Sequence, residues 1–531
     1  MALPSTNPVL RPATHPLQFT PLLYFMQAIP VTLVQETSTI IFKNLGVENA
    51  NIVYWTSLIA LPWSLQMFLG PFVDQTARKR DWVLGGQLAI AIGIIVTAFV
   101  LNWPDAFLIS IGVLGVTAIF SAMCNIATDG FYLLALKPED QARFVGFNST
   151  FYRLGRLFCS GLLVYWAGRL TTLGQKPAQA WFYVLVICGV LYGIGRVVLH
   201  FTLPRPEADI RVGPSEGGDG VGKLAIQTAV VLALGLSAIV GLGNARLLIA
   251  DQIARNVDQI AYIGSTETWK LSSENIVGNQ VWLAAMVAVF LIARQAYRQF
   301  IAPTTMGESF RTYFQQSGIM AILGFILFYR FGEAMVGKLT ALFLLDPIAK
   351  GGLAMTTEHV GIVNGTVGVI GIVLGGIAGG FTVSKLGLRR AFIPLALAMH
   401  VPNLMYLWAS TAQPQIARGA SFFEVVGAPI SGIIFIDQFG YGFGFAAYFV
   451  YLMWVAQRGK FHTAHYAMGT GLGALCIATA GILSGILFQN FGYVGFYKWV
   501  IALSIPGMLM LFLIPLDEHQ GRNIKVDEIA D

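Results

Sequence analysis

Charge is what this sequence has least of. Lys, Arg, Asp and Glu together make up 11% of the 531 residues, against about 25% in ordinary soluble domains. The scarcity excludes the three or four soluble domains that this length predicts at about 150 residues each, because too little polar side chain is present to cover the apolar 56%. Cysteine is also rare. Cys124, Cys159, Cys188 and Cys476 all fall within apolar runs, which excludes a disulfide framework or a CxxC metal site and leaves them as small packing residues. The net charge of +6 arises from basic residues scattered in small loop clusters, without the basic arm or patch that nucleic acid requires. The first seventeen residues carry Pro4, Pro8, Pro12 and Pro16 with a single Arg11. They lack the basic stretch, short apolar core and cleavage site of a secretory leader, so no cleaved signal peptide is expected.

What the chain has is apolar length, with a mean hydropathy of +0.67. A bilayer span takes about 20 apolar residues, so the roughly 297 apolar residues, 56% of 531, supply about fourteen spans. Runs bounded by charge, Pro or Gly fall at 19–43, 52–73, 82–101, 106–134, 144–168, 180–201, 224–243, 279–297, 316–346, 358–383, 388–410, 421–456, 463–488 and 495–515. The predicted fold class is an all-α polytopic membrane protein. With the N-terminus placed inside, Lys and Arg concentrate in cytoplasmic loops and tails, which predicts an even number of spans and both termini cytoplasmic.

Two junctions organise the spans. The second and third are joined by Gly70-Pro-Phe-Val-Asp74-Gln-Thr-Ala-Arg78-Lys79-Arg80, and the tenth and eleventh by Gly380-Phe-Thr-Val-Ser384-Lys385-Leu-Gly387-Leu-Arg389-Arg390. A glycine, a short polar or acidic residue and a basic cluster recur on a tight turn in each half, a pattern that resembles the loop signature of the major facilitator superfamily. If the turns correspond, each half holds six helices. The division is then a cytoplasmic tail 1–18, a six-helix bundle 19–203, a flexible Gly- and Pro-rich linker 204–223, an inserted helix pair 224–300, a second bundle 301–516 and a cytoplasmic tail 517–531. Between the inserted helices, 244–278 forms a long external connection. Its Ile249, Ile253, Val257 and Ile260 recur at helical spacing, as in an amphipathic helix lying on the outer surface.

Ionisable side chains inside a bilayer cost about 2.5–3.5 kcal/mol each on insertion scales, so those at depth are the candidates for function. They are Glu36, Asp129, Arg153, Arg156, Arg196, Arg330, Glu333, Lys338, Glu424 and Asp437. Asp129 and Arg153 lie at similar depth on hairpin-connected helices and are expected within reach of one another, as a structural clamp or as a substrate or proton site. Arg330 and Glu333, at i and i+3, are expected to pair locally. Glu36 has no basic neighbour at helical spacing nearer than Lys43, which suits a proton-coupling carboxylate in a low-dielectric cavity. His462 and His465 flank a turn with no acid or cysteine to complete a metal site and read as interfacial, and His400 reads as a hydrogen-bonded core histidine. Gly371, Gly375 and Gly379, like Gly481 and Gly485, form small faces for close helix approach. No catalytic residues, cofactor or metal are predicted: Walker, HExxH and GxSxG motifs are all missing, and Gly440-Tyr-Gly442-Phe-Gly444 follows no strand.

Beyond the loop signature, the sequence resembles the AmpG family of the major facilitator superfamily over about 20–203 and 317–516. The resemblance rests on Ser121-Ala-Met-Cys-Asn125-Ile-Ala-Thr-Asp129, Leu136-Lys-Pro-Glu-Asp-Gln-Ala-Arg143, Tyr152-Arg153-Leu-Gly155, Phe328-Tyr-Arg330-Phe-Gly-Glu333-Ala, Val360-Gly-Ile-Val-Asn364-Gly-Thr-Val-Gly368 and the run Asp437 to Gly444. It implies a permease of the bacterial inner membrane that brings a sugar-containing solute such as a muropeptide into the cytoplasm with protons. Its partners would be a small-molecule substrate, the coupling proton and the bilayer. On this reading Glu36, Asp129 and Glu333 border a central cavity, Arg153 and Arg330 act as charge partners or anion anchors, and Asn125, Tyr152, Tyr329, Asn364 and Asp437 complete the site. Gly70, Asp74, Arg78, Lys79, Arg80, Gly380, Ser384, Arg389 and Arg390 form the conformational-switch loops. The rival readings are a permease for an oligosaccharide or siderophore, a membrane enzyme acting on lipid-linked sugar, and a non-transporting sensor.

Overall fold

The computed structural model describes residues 15–66, 69, 73, 76–136, 148, 150–207, 209, 295, 298, 305–459 and 461–516. Nearly all of the inserted pair and of the linker, the loop 244–278, the turn Lys137–Arg143, Gly70, Asp74 and most of the two tails lie outside the described residues. Two of the fourteen expected spans therefore do as well.

Among the described residues the secondary structure is helical, without strands. The first span is α1 (Thr20–Thr32), a wide π-helical turn (Leu33–Thr37) and α2 (Ser38–Asn44). Pro30 lies just before the wide turn, where its missing N–H and ring disturb the hydrogen-bond ladder. Next come α3 (Asn49–Leu58), α4 (Leu61–Ser64), α5 (Lys79–Val100) and α6 (Ala106–Ala135). The fifth span holds a second π-helical turn (Phe158–Leu163) and α7 (Val164–Thr172), and α8 (Pro177–Thr202) completes the first half.

In the second half α9 (Thr305–Phe314) precedes a span broken into α10 (Ile319–Phe328) and α11 (Phe331–Leu345). The following span is α12 (Thr357–Val360), a third π-helical turn (Gly361–Val367) and α13 (Gly368–Leu386). Then follow α14 (Leu388–His400), α15 (Asn403–Ala412), the short α16 (Phe422–Gly427), α17 (Pro429–Gln457) and α18 (His462–Met510), which is folded back at Gly492, where φ is +62°.

Eight stretches among the described residues are long and apolar enough to cross a membrane, and each buries between 39% and 61% of its most apolar window. The remainder carries large exposed apolar side chains such as Ile92, Leu108, Ile187, Ile377 and Phe512. That surface would aggregate in water and is what lipid contact calls for. This is a multi-pass membrane protein.

Glycine sets how closely the helices approach. A Cβ on Gly371, Gly375 or Gly379 of α13 would come within 2.7, 2.0 or 2.4 Å of the α17 backbone carbonyls of Phe435, Phe439 and Phe443. The two halves touch in the same way at their π-helical turns, where a Cβ on Gly365 would lie 2.2 Å from the Gly161 Cα.

Glu424, expected at membrane depth, is instead exposed and part of the capping box that starts α16, because Pro429 begins the long helix five residues later. His465, expected at an interface, is buried, with its ring beside the Thr312 hydroxyl at 3.1 Å and the Ser309 carbonyl at 3.1 Å. His400 is buried as expected, its ring edge-on to that of Tyr329 with 5.9 Å between centres.

Candidate functional site

Backbone irregularities gather where the polar side chains do. The turn Leu33–Thr37 presents Gln35 and Glu36, the turn Gly361–Val367 presents Asn364, and the break between α10 and α11 presents Arg330, whose φ of −100° and ψ of 0° are not helical. A widened or broken turn frees backbone groups that a regular apolar helix would satisfy internally, and such turns are common at functional sites. These residues line one cavity of about 150 Å³ between the halves, together with Arg156, Glu333, Lys338, Gln438 and Tyr441.

The charges inside are unequally matched. The Arg156 guanidinium grips the Glu36 carboxylate in a two-point contact, Nη2 to Oε1 at 2.9 Å and Nε to Oε2 at 3.4 Å. The expectation that Glu36 stands without a nearby cation is therefore corrected: its partner comes from the fifth span, 120 residues away in sequence, and Lys43 points elsewhere. Arg330 does not pair with Glu333. Its non-helical backbone turns the guanidinium away from the α11 face, so that Nη2 donates to the Tyr441 hydroxyl at 2.6 Å and the group stacks 4.3 Å from the Phe445 ring centre. Glu333 Oε2 and Lys338 Nζ are both buried without a hydrogen-bond partner among the described residues.

Other predicted residues stand around this cavity without lining it. Asp437 is fully buried beside it, accepting from Tyr406 at 3.1 Å and from Gln438 at 2.9 Å. Tyr329 is fully buried in the apolar core of the second half and donates to the Gly444 carbonyl at 3.2 Å. Asn125 is half-buried with Oδ1 unpartnered, Tyr152 is half-buried, and Asp129 is exposed. Asp129 and Arg153 form no ion pair among the described residues. Arg153 lines a lateral groove with Leu154, Ile370, Leu374 and Ile377, where it donates to the Val373 carbonyl at 3.4 Å.

At one end of the molecule the halves are latched. Lys43 and Asn49, flanking the turn between the first two spans, both bond to the fully buried Asp346 carboxylate at the end of α11, and Tyr493 donates to the same carboxylate at 2.6 Å. Thr357 donates to Asn44 at 3.0 Å beside them. Sequence reading missed this cluster, because Asp346 lies in a loop where a solvated acid is the ordinary case.

At the opposite end, Arg80 Nη2 donates to the His200 carbonyl at 2.7 Å at the end of α8. In return the Asp209 carboxylate accepts from the backbone N–H groups of Lys79 and Arg80 at 2.8 and 3.0 Å, satisfying two orphan donors at the start of α5. Arg78 is exposed just before that helix. In the second half Gly380, Arg389 and Arg390 are exposed, and Ser384 donates to the Phe381 carbonyl at 3.0 Å.

No family model matches the chain. It is similar to the anhydromuropeptide permease of Escherichia coli K12, with 24% identity over 242 residues that cover 44% of this chain and 46% of that one. The putative transporter AmpG 4 of Rickettsia felis is 24% identical over 205 residues, 39% of this chain and 45% of that one. An uncharacterised protein of Haemophilus influenzae is 28% identical over 220 residues, 40% and 49% respectively. Over these segments the chain is thus similar to proteins named AmpG and to an anhydromuropeptide permease. The alignment spans about half the length of these relatives. Among solved structures, a POT family transporter in complex with a thioalcohol-conjugated peptide superposes with a TM-score of 0.59 at 13% identity, covering 93% of this chain and 95% of that one. The inward-open xylose transporter of Escherichia coli gives 0.54 at 11% identity, covering 94% and 96%. The chain thus shares the fold of these transporters, and its named relatives are permeases and transporters.

Proposed function

We propose that the AmpG-like protein is a secondary transporter of the bacterial inner membrane that imports a sugar-containing solute of the muropeptide kind with protons, by alternating access about the central cavity. One observation carries the reading. Five ionisable side chains, Glu36, Arg156, Arg330, Glu333 and Lys338, converge on a cavity between the halves, while the Lys43–Asp346 cluster closes one end. A bilayer protein bears the cost of such groups where they handle a polar cargo or protons. The similarity to an anhydromuropeptide permease supports the choice of solute. Under this proposal the Lys43–Asp346 end is external, both termini are cytoplasmic, and the two six-helix bundles rock about the cavity.

Glu36 and Glu333 are the candidates for the coupling carboxylates, with Asp129 on the cytoplasmic side. Proteoliposomes holding the purified chain are expected to accumulate anhydromuropeptide when an inward proton gradient is imposed, and to stop when it is dissipated. Glu36→Gln, Asp129→Asn and Glu333→Gln all transporting at the parent rate would overturn the coupling assignment. Absence of accumulation by the parent chain would overturn the solute.

A further inference from the structure

The cavity holds an ammonium group to which none of the described residues gives a hydrogen bond or a close ion pair. Glu36 is matched by Arg156 at 2.9 Å, and Arg330 is held by the Tyr441 hydroxyl and the Phe445 ring. Lys338 is different: it is 6% exposed, it lines the cavity, and among the described residues its Nζ has no hydrogen-bond partner. Glu333 is the acid nearest in sequence and lines the same cavity, but at a spacing of five the two side chains are not helical neighbours, and no ion pair joins them among the described residues. The lysine stem passes close to Gly481, where a Cβ would come 3.3 Å from Lys338 Cγ and 2.0 Å from Ser57 Oγ.

A buried ammonium without an acceptor is costly, and the arrangement persists where a ligand supplies the missing charge. Three cations and two acids line the cavity, an excess of one positive charge. Its volume of about 150 Å³ is below the roughly 300–1,000 Å³ of pockets that enclose a whole drug-sized ligand. It fits one charged group of a solute rather than the whole of it.

We propose that Lys338 is the anion anchor of the cavity: the transported solute carries a carboxylate or phosphate that docks on this ammonium, and neutral solutes of the same size are rejected. The proposal rests on the carrier reading above but not on the cargo being a sugar. Glu333, with its free Oε2, faces the same space and sets where a cationic or hydroxyl-bearing part of the solute would lie.

The test measures binding calorimetrically to the purified full-length chain with two matched pairs of probes, N-acetylmuramic acid against its carboxamide and trialanine against its C-terminal amide. The acid member of at least one pair is expected to bind about ten-fold more tightly or better, the loss of one charge-assisted hydrogen bond being of that order. Lys338→Met should abolish the difference and Lys338→Arg retain it. Lys338→Met should also melt at the parent temperature or higher, because it removes an unpaired buried charge, whereas a lysine with a structural role would melt lower. If neither acid outbinds its neutral partner, or if Lys338→Met leaves the difference intact, the anchor is wrong. A difference confined to the peptide pair would keep the anchor and remove the sugar reading. One confined to the sugar pair would support both, with N-acetylglucosamine 6-phosphate then reporting whether phosphate substitutes for carboxylate.

Discussion

Glu36 and Arg156 illustrate how exposure decides what an ion pair is worth. Their side chains are 34% and 26% exposed, so water screens the pair and its contribution to stability is about 1 kcal/mol rather than the 3–5 kcal/mol lost when a fully buried pair is broken. Arg156→Gln is accordingly expected to melt only slightly below the parent in detergent while uptake is lost, because the carboxylate is left without its positioning partner. Equal loss of folding and uptake would instead make the pair structural. At Glu424 the chemistry is that of a helix start. The carboxylate accepts from the Ser421 backbone N–H at 2.6 Å and from its hydroxyl at 2.8 Å, and these bonds hold its pKa below the ordinary 4.5. A depressed carboxyl contributes above its unfolded pKa, and the contribution is lost as pH falls through the folded value. Amide exchange protection over 422–427, corrected for the intrinsic pH dependence, is therefore expected to hold near neutrality and to fall as the pH drops below the ordinary carboxyl value of 4.5. Glu424→Gln should flatten that dependence.

Between elements, the approach of α13 to α17 depends on single hydrogen atoms. A Cβ on Gly375 would lie 2.0 Å from the Phe439 carbonyl oxygen, a backbone atom that cannot swing aside, while one on Gly380 meets nothing within 4 Å. Gly375→Ala is expected to cost about 1–3 kcal/mol through forced separation of the helices. Gly380→Ala should be neutral or slightly stabilising, since Ala is the better helix former. Thermal unfolding of the two variants side by side measures the difference, and equal melting would mean that the close approach is not maintained in the membrane. The π-helical turns carry an argument of the same kind. They put Glu36 and Asn364 on the cavity by shifting the helix phase, so the faces beyond each turn are not those that a continuous 3.6-residue period predicts.

For the whole molecule, the decisive contact is the Asp346 cluster, where one fully buried carboxylate collects Lys43 and Asn49 from the first half and Tyr493 from the second. Asp346→Asn removes the charge that holds Lys43 and is expected to shift the population toward a state open at that end. The readout is a Thr39→Cys reporter on the cavity wall, with the four native cysteines replaced by alanine. Its labelling by a membrane-impermeant thiol reagent added outside intact cells should accelerate about three- to ten-fold, a change of roughly 1 kcal/mol in the equilibrium. An unchanged rate would mean that the glycine contacts at Gly161 and Gly365, rather than the ions, keep the end shut.

The amino-acid sequence by itself determined the class of the molecule. So much apolar length with so little charge has only one solvent in which its surface is stable, and helices are then the way to satisfy the backbone. The recurring Gly and basic-cluster turns and the AmpG-like runs marked the family resemblance, and the rarity of charge at depth singled out Glu36, Arg156, Arg330, Glu333 and Lys338, five residues that line the cavity. Which charge meets which was decided by the tertiary structure alone. Arg156 reaches Glu36 across spans, Lys43 leaves Glu36 for Asp346, and Arg330 turns from its i+3 neighbour to an aromatic face. The physical reason is that helical spacing ranks neighbours only within one regular helix, whereas here the turns that aim the charges are widened or broken, and the partners arrive from helices more than a hundred residues away.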